Sequence, residues 1–269
     1  LLAGEKDPTI SVGGILKAIG GNIRVGSSDV FVTEACEYTN SFLHFFPKIG
    51  IILNIEEDHM DFFKDIDDIR NSFHQFAALL PADGALVINQ NIEGINSITD
   101  GLDCKIITYS ERQPADYSAS EIRFDEIGNA SFDLLRHGEY VDRITLAVAG
   151  NQKGILSFTG TDRRFQYKGE RDGVTIIDDY AHHPTEIRAT LTSAQNYPHK
   201  DIWCIFQPHT YTRTKAFFDE FAEALSLADH VVLADIYAAR ETDTLGMSSA
   251  ALTEKIKELG TDAYYFPSF

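Results

Sequence analysis

Apolar residues along this chain fall into short runs separated by polar stretches of helical length. Val30-Phe-Val32, Ile49-Gly-Ile-Ile-Leu-Asn-Ile55, Ala85-Leu-Val-Ile88 and Lys105-Ile-Ile-Thr-Tyr109 read as strands, the first two as buried parallel ones. Between the second and third, Ile66, Ile69, Phe73, Phe76, Ala77 and Leu80 recur at helical spacing, and Pro81 ends that amphipathic helix. A further helix is predicted near residues 92–98. Residues 117–148 alternate apolar and polar positions around Gly128-Asn129 and His137-Gly138, the pattern of antiparallel hairpins. From residue 164 the strand–helix rhythm resumes. Strand 174–178 precedes helix 185–195, strand 202–206 precedes helix 213–227, strand 231–236 precedes helix 248–259, and a strand at 263–266 closes the series. Such alternation implies a parallel sheet. The expected fold class is α/β, with one domain over 1–161 that carries an antiparallel section and a smaller Rossmann-like domain over 162–269.

The 269 residues leave room for two ordinary domains, and the 43% apolar content is that of a globular protein. No apolar run approaches the roughly 20 residues that cross a bilayer. Nor does a signal-peptide pattern open the chain. Cys36, Cys104 and Cys204 lack metal-ligand spacing and read as reduced thiols of a cytoplasmic protein. A net charge of −18 argues against a nucleic-acid partner, whose backbone is gripped by Lys and Arg. It leaves an anionic small substrate open, because Arg163, Arg164, Arg213, Lys215 and Arg240 can line a pocket locally. The chain starts at Leu1 without an initiator methionine and stops at Phe269 directly after an expected strand, which reads as part of a longer protein.

The densest polar cluster is Ile177-Asp-Asp-Tyr-Ala-His-His-Pro-Thr-Glu-Ile187. It joins an apolar strand to a helix opened by Pro184, which forfeits no hydrogen bond in a first turn. Ligands collect at such carboxyl strand ends in open α/β sheets. The next strand, Ile202-Trp-Cys-Ile-Phe206, ends likewise in Gln207-Pro-His-Thr-Tyr-Thr-Arg-Thr-Lys215, so the two rims are expected to share a site. Taken alone, His182-His183 is also compatible with a structural pair, and Thr210 or Thr212 with an ordinary helix cap. No Ser or Cys nucleophile stands beside a base, which argues against covalent catalysis. In the first half, Thr33-Glu-Ala-Cys-Glu-Tyr38 and Asn54-Ile-Glu-Glu-Asp-His-Met-Asp61 gather Glu34, Glu37, Asp58, His59 and Asp61 at adjacent strand ends. Oxygen-rich sets suit a hard divalent cation. The histidine leaves manganese or zinc open beside magnesium, and solvated loops account for the same acids equally well. A single-ion metal hydrolase using Glu34, Asp58, His59 and His182 is disfavoured, because these residues fall in separate expected domains.

Glu34–Tyr38, Asn54–Asp61, Arg163-Arg164-Phe165, Asp178–Glu186, Phe206–Lys215 and Asp235-Ile-Tyr-Ala-Ala-Arg-Glu241, in this order, resemble the Mur ligases that add L-alanine to UDP-N-acetylmuramate in peptidoglycan synthesis. The resemblance runs from about Leu1 to Phe269. It implies a central ATPase-type α/β domain over 1–161 and a C-terminal, amino-acid-binding domain over 162–269. The implied substrates are ATP, UDP-N-acetylmuramate and L-alanine, with Mg2+ as cofactor. The implied chemistry is phosphorylation of the muramoyl carboxylate by ATP, attack of the alanine amine on the acyl phosphate, and expulsion of phosphate. That chemistry requires several anions to be gathered and charge on transferred oxygens to be stabilised. By motif, Glu34 holds the magnesium that bridges the ATP phosphates and His59 holds a second one. Arg164 contacts the γ-phosphate, and Asp179 faces the nucleotide ribose. Tyr180, His182, His209 and Arg213 shape the amino-acid pocket. Arg213 pairs the alanine carboxylate, a match suited to guanidinium. His182 and His209 are both candidates for taking the amine proton.

The resemblance has gaps. These 269 residues contain no Gly-rich phosphate loop with Lys-Thr-Thr and no UDP-binding domain. After Ala147-Val-Ala-Gly150 the family continues with a His-Asn segment and adenine-holding helices, whereas this chain passes through Asn151-Gln-Lys-Gly154 to Ile155-Leu-Ser-Phe-Thr-Gly160. The polypeptide alone is therefore expected to bind ATP poorly and to be inactive. A Mur-type ligase that recycles murein peptides and a non-catalytic Mur-like scaffold are the alternatives.

Overall fold

The computed structural model describes residues 1–124, 130–145, 163, 165–242 and 245–267. These fall into two compact units, one holding residues 1–123 and 130–145, the other the described part of 163–267.

The first unit opens with a small sheet of β1 (Thr9–Leu16), β2 (Gly21–Arg24) and β3 (Phe31–Thr33), in the order β2-β1-β3. β1 and β2 are antiparallel around Gly20, whose φ of 67° only glycine adopts freely, while β3 runs parallel to β1. Asp7 fastens this sheet: it pairs with Arg24 and accepts from the Ser27 N–H and hydroxyl, both at 2.7 Å. The expected strand at 30–32 is parallel as predicted but not buried, with Phe31 57% exposed.

The larger sheet of this unit runs β4 (Ile49–Ile52), β5 (Ala85–Asn89), β6 (Lys105–Ser110), β7 (Tyr117–Phe124), β8 (Ala130–Arg136), β9 (Glu139–Thr145), in chain order. β4, β5 and β6 are parallel, and β8 and β9 form an antiparallel hairpin closed by His137-Gly138, both at positive φ. The expected turn at Gly128-Asn129 lies outside the described residues. α1 (Ile66–Ala78) starts at Asp65, whose carboxylate accepts from the Asp68 N–H at 2.9 Å, an ordinary N-cap. Its apolar stripe meets Ile52, Leu86 and Ile88 of the sheet, with Phe42 stacked on Phe76 at 4.9 Å. Gly50 lets the helix approach, since a Cβ there would sit 3.3 Å from Leu80 Cδ1. On the other face of β4, Ile49 and Ile51 are exposed, so among the described residues this strand is covered on one side rather than two. The helix expected near 92–98 is a single turn, α2 (Asn96–Thr99).

In the second unit, β10 (Gln166–Arg171) and β11 (Val174–Asp178) make a separate antiparallel hairpin. This corrects the expectation that strand 174–178 joins the parallel sheet. The parallel sheet is β12 (Trp203–Phe206), β13 (His230–Leu233), β14 (Asp262–Tyr265), in that order. α3 (Pro184–Ala194), α5 (Phe218–Leu225) and α6 (Ser249–Glu258) supply Ile187, Leu191, Phe221, Leu225, Leu252 and Ile256 to a core shared with Phe206, Val231 and Leu233. The helix expected over 213–227 is two: α4 (Tyr211–Ala216) is set off from α5 by Phe217, at φ −116° and ψ 32°. Among the described residues no helix is long and apolar enough to cross a membrane. The architecture is mixed α/β, as expected.

Candidate ligand-binding clusters

Chemistry-bearing side chains gather in one place within each unit. In the first, Glu34 leaves the end of β3, and its Oε2 accepts from the Gly13 N–H of neighbouring β1 at 2.6 Å. A Cβ at Gly13 would lie 3.0 Å from that oxygen, a tight contact that glycine avoids. No described residue donates to the other carboxylate oxygen in the hydrogen bonds of this region. Further along, His59 sits at φ 55°, a left-handed conformation uncommon outside glycine, fixed by Phe62 and Phe63 N–H groups donating to its carbonyl at 2.8 and 2.9 Å. This turn brings its Nε2 to 3.5 Å from Glu37 Oε1 and 3.9 Å from Asp58 Oδ2. Tyr38 packs on the imidazole at 4.6 Å and donates its hydroxyl to Asp61 at 2.8 Å. The hydrogen bond from His59 holds the Glu37 carboxyl below the usual carboxylate range, overcoming partial burial that acts the other way. Among the described residues no group of three or more His, Cys, Asp and Glu side chains is set around a point to hold a metal ion.

In the second unit the loop between β11 and α3 carries the cluster. Asp179 uses both carboxylate oxygens on backbone donors, the Phe165 N–H at 2.7 Å and the Ala181 N–H at 2.8 Å. It therefore shapes the loop, whatever else it contacts. Tyr180 donates its N–H to the Arg163 carbonyl at 2.7 Å and lies under the Arg163 guanidinium at 4.9 Å. Arg164, the other arginine of that pair, lies outside the described residues. His183 is a helix cap: its Nδ1 accepts from Thr185 at 3.4 Å, and Glu186 returns the capping-box bond to its N–H. Of the two adjacent histidines, His182 is the one presented for chemistry. Its Nδ1 lies 3.0 Å from the Tyr180 carbonyl, which can only accept, so Nδ1 carries the proton and Nε2 the lone pair.

His182 meets the second rim. Its ring stands 6.5 Å from that of His209, which in turn packs 5.6 Å from Tyr237. Arg213, one turn into α4, points Nη1 at His209 Nδ1, 3.5 Å away; since guanidinium only donates, His209 keeps its own proton on Nε2. Burial, then Arg213, then His182 hold the His209 pKa below the ordinary imidazole value, opposed by Glu241. Between His209 and α4, Thr210 adopts φ 67° and ψ 144°, a region costing about 1–3 kcal/mol for a residue with a side chain. The structure thus brings Tyr180, His182, His209 and Arg213 into one neighbourhood within this unit. Tyr237 and Glu241, not among the residues picked from the sequence, lie in the same neighbourhood.

Two family models cover most of the chain: the Mur ligase middle domain matches residues 19–154, and the Mur ligase glutamate ligase domain matches 163–269. The chain belongs to the Mur ligase family. Among curated Mur ligases, the UDP-N-acetylmuramate–L-alanine ligase of Lachnospira eligens is 56% identical over 293 aligned positions, covering 100% of this chain and 64% of that protein. The ligase of the same name from Agathobacter rectalis is 53% identical, again over 100% and 64%. The chain therefore spans less than two thirds of these relatives. Because 293 positions exceed the 269 residues here, the first relative also carries residues inside the matched span that this chain lacks. In fold, the chain resembles a UDP-N-acetylmuramate–alanine ligase of Thermotoga maritima, with TM-score 0.76, 24% identity, and 99% and 62% of the two chains covered. It also resembles a Thermotoga maritima ligase solved with ADP, with TM-score 0.69, 16% identity, and 100% and 71% covered.

Proposed function

We propose that these residues are the metal-binding and amino-acid-binding portions of an enzyme that joins L-alanine to UDP-N-acetylmuramate at the expense of ATP. The observation that carries the reading is consistent: relatives at 45–56% identity over nearly the whole chain share that single name. The second-unit cluster suits the task, since an amino acid needs a cation for its carboxylate and an acceptor for its amine proton.

Arg213 is the group for the carboxylate, and a guanidinium can grip it with two parallel bonds. His209, whose depressed pKa keeps it neutral near pH 7, offers a donor at Nε2. His182 offers the opposite, a lone pair at Nε2, and is thereby the better placed of the two to take the amine proton. Tyr180 completes the wall. In the nucleotide half, Asp179 and Arg164 are the expected contacts to ribose and γ-phosphate. Glu34 fits a magnesium ligand, having one oxygen anchored by Gly13 and the other available. His59 is the candidate ligand for the second magnesium, with Glu37 and Asp58 beside its imidazole but not arranged with it around a common point. Bound magnesium would neutralise phosphate charge and polarise the transferred group. The reading places the working protein in the cytoplasm.

The division of labour follows the two units, with nucleotide and metal groups over 1–161 and amino-acid groups over 162–269. The 269 residues alone turn over no substrate, for want of the phosphate loop and of residues that relatives carry within the matched span. Phosphate release with ATP, Mg2+, UDP-N-acetylmuramate and L-alanine tests this. None is expected from the chain itself. Release that depends on L-alanine is expected once the chain is grafted into the Lachnospira eligens relative with that protein's extra residues retained. Turnover by the bare chain, or a silent graft that folds, would overturn the reading.

A further inference from the structure

Helix α4 begins at a strained residue and has no cap of its own. Thr210, in the N-cap position, makes no side-chain capping bond, and its backbone is in the unfavourable conformation described above. The first N–H groups of a helix nevertheless need acceptors. Here the acceptor comes from far along the chain: Glu241 Oε2 accepts from the Thr212 N–H at 3.0 Å, and its Oε1 accepts from the Thr212 hydroxyl. The Glu241 carboxyl feels burial first, which raises its pKa, yet the bonds from Thr212, Tyr211 and Thr210 outweigh this and hold it ionised. The same two segments are sewn together at a second point, where the Thr210 N–H donates to the Tyr237 carbonyl at 2.9 Å and the Tyr237 N–H to the Pro208 carbonyl at 2.8 Å. Glu241 itself is set by a turn, its N–H donating to the Ala238 carbonyl at 2.9 Å across Ala239, at φ 54°.

We propose that Glu241 is a positioning residue: as a long-range cap on residues 210–212 it holds the strained link between His209 and Arg213, and so sets the direction in which both face the incoming amino acid. The proposal deepens the reading above and rests on it for the identity of the ligand, not for the clasp. The carboxylate grips the donors on either side of the Thr210–Tyr211 link, and Arg213 is the next residue. If the clasp opens, Thr210 can relax to an ordinary conformation and His209 and Arg213 separate. Groups facing His209 are Arg213 of α4, His182 before α3, and Tyr237 and Glu241 after β13. Of these only Glu241 is anionic at neutral pH.

The test uses the 269-residue chain itself, as wild type, Glu241→Gln and Thr212→Val, followed by NMR. In Glu241→Gln the titration midpoint of His209 falls further below the ordinary imidazole value, because the carboxylate charge that opposes its depression is gone. Amide exchange at Tyr211 and Thr212, whose N–H groups face the carboxylate, speeds by about tenfold, since the neutral Gln amide is a weaker acceptor with only one oxygen to offer. Thr212→Val, which removes only the hydroxyl donor, shows a smaller rise in exchange. An unchanged His209 midpoint together with unchanged exchange in Glu241→Gln would overturn the proposal. L-alanine titrated into the same samples separates it from the functional reading. Failure of alanine to shift Arg213 even in the wild type, with the clasp effects present, would refute the pocket and leave the positioning role standing.

Discussion

Arg213 Nη1 faces His209 Nδ1 at 3.5 Å across the backbone of Thr210, the most strained link in the second-unit cluster. A guanidinium is thus held against a neutral imidazole that accepts from it, at a cost in the backbone conformation of Thr210. Structures retain such costs where geometry serves a function.

Removing the guanidinium should therefore show in affinity for the amino acid before it shows in turnover. In the grafted enzyme, Arg213→Ala should raise KM for L-alanine by about 100-fold, as for a lost charge-assisted pair, with a smaller fall in kcat. Arg213→Lys keeps the charge but loses the planar fork, so an intermediate rise is expected. Steady-state kinetics with varied L-alanine measures both.

Relieving the strain at Thr210 should stabilise the fold while harming the site. Thr210→Gly is expected to gain about 1 kcal/mol, the strain released less the greater chain entropy of glycine when unfolded. Urea unfolding of the 269-residue chain should show a raised midpoint.

Asp7 carries a pH dependence that can be isolated. The Ser27 hydroxyl, then Arg24, then the Ser27 N–H lower its pKa to about 2 from the model-compound 3.8. A depressed carboxyl contributes stability that is complete above the unfolded value and is lost as pH falls through the folded one. The stability difference between wild type and Asp7→Asn should hold steady above pH 5 or so and shrink between about 4 and 2. Thermal melts across that range are the measurement.

The core of the first unit depends on a stacked aromatic pair. Phe42 is 2% exposed, lies 4.9 Å from Phe76 at 4° between planes, and meets Phe73 edge-on at 5.2 Å. Phe42→Ala should cost about 3–5 kcal/mol, from lost burial and the cavity left behind, read by urea unfolding.

Much of this was legible in the sequence where local pattern and tertiary need agree. The runs at 85–88, 105–109 and 202–206 are strands within a residue or two of their predicted bounds, because each is a short apolar run facing a helical layer. α1 was legible from its apolar stripe and the Pro81 stop. β1 and β2 were not, since Gly13-Gly14 interrupts the apolar run and the Gly13 N–H contact with Glu34 leaves no local trace. β10 escaped because Gln166-Tyr-Lys-Gly-Glu-Arg171 is polar; the Asp172-Gly173 pair, both at positive φ, was a hairpin signal that went unread. The break at Phe217 had no Gly or Pro to announce it. That Tyr180, His182, His209 and Arg213 lie near one another was legible from their strand-end positions. Glu241 could not be given a role, because a cap reaching across 29 residues leaves no local trace.

The most direct measurement of the central claim is a product analysis of the grafted enzyme offered UDP-N-acetylmuramate, ATP and Mg2+ with equal amounts of L-alanine and the murein tripeptide that begins with it. The account predicts UDP-N-acetylmuramoyl-L-alanine as the product, dependent on Arg213. Preferential ligation of the tripeptide, or alanine ligation indifferent to Arg213→Ala, would contradict it.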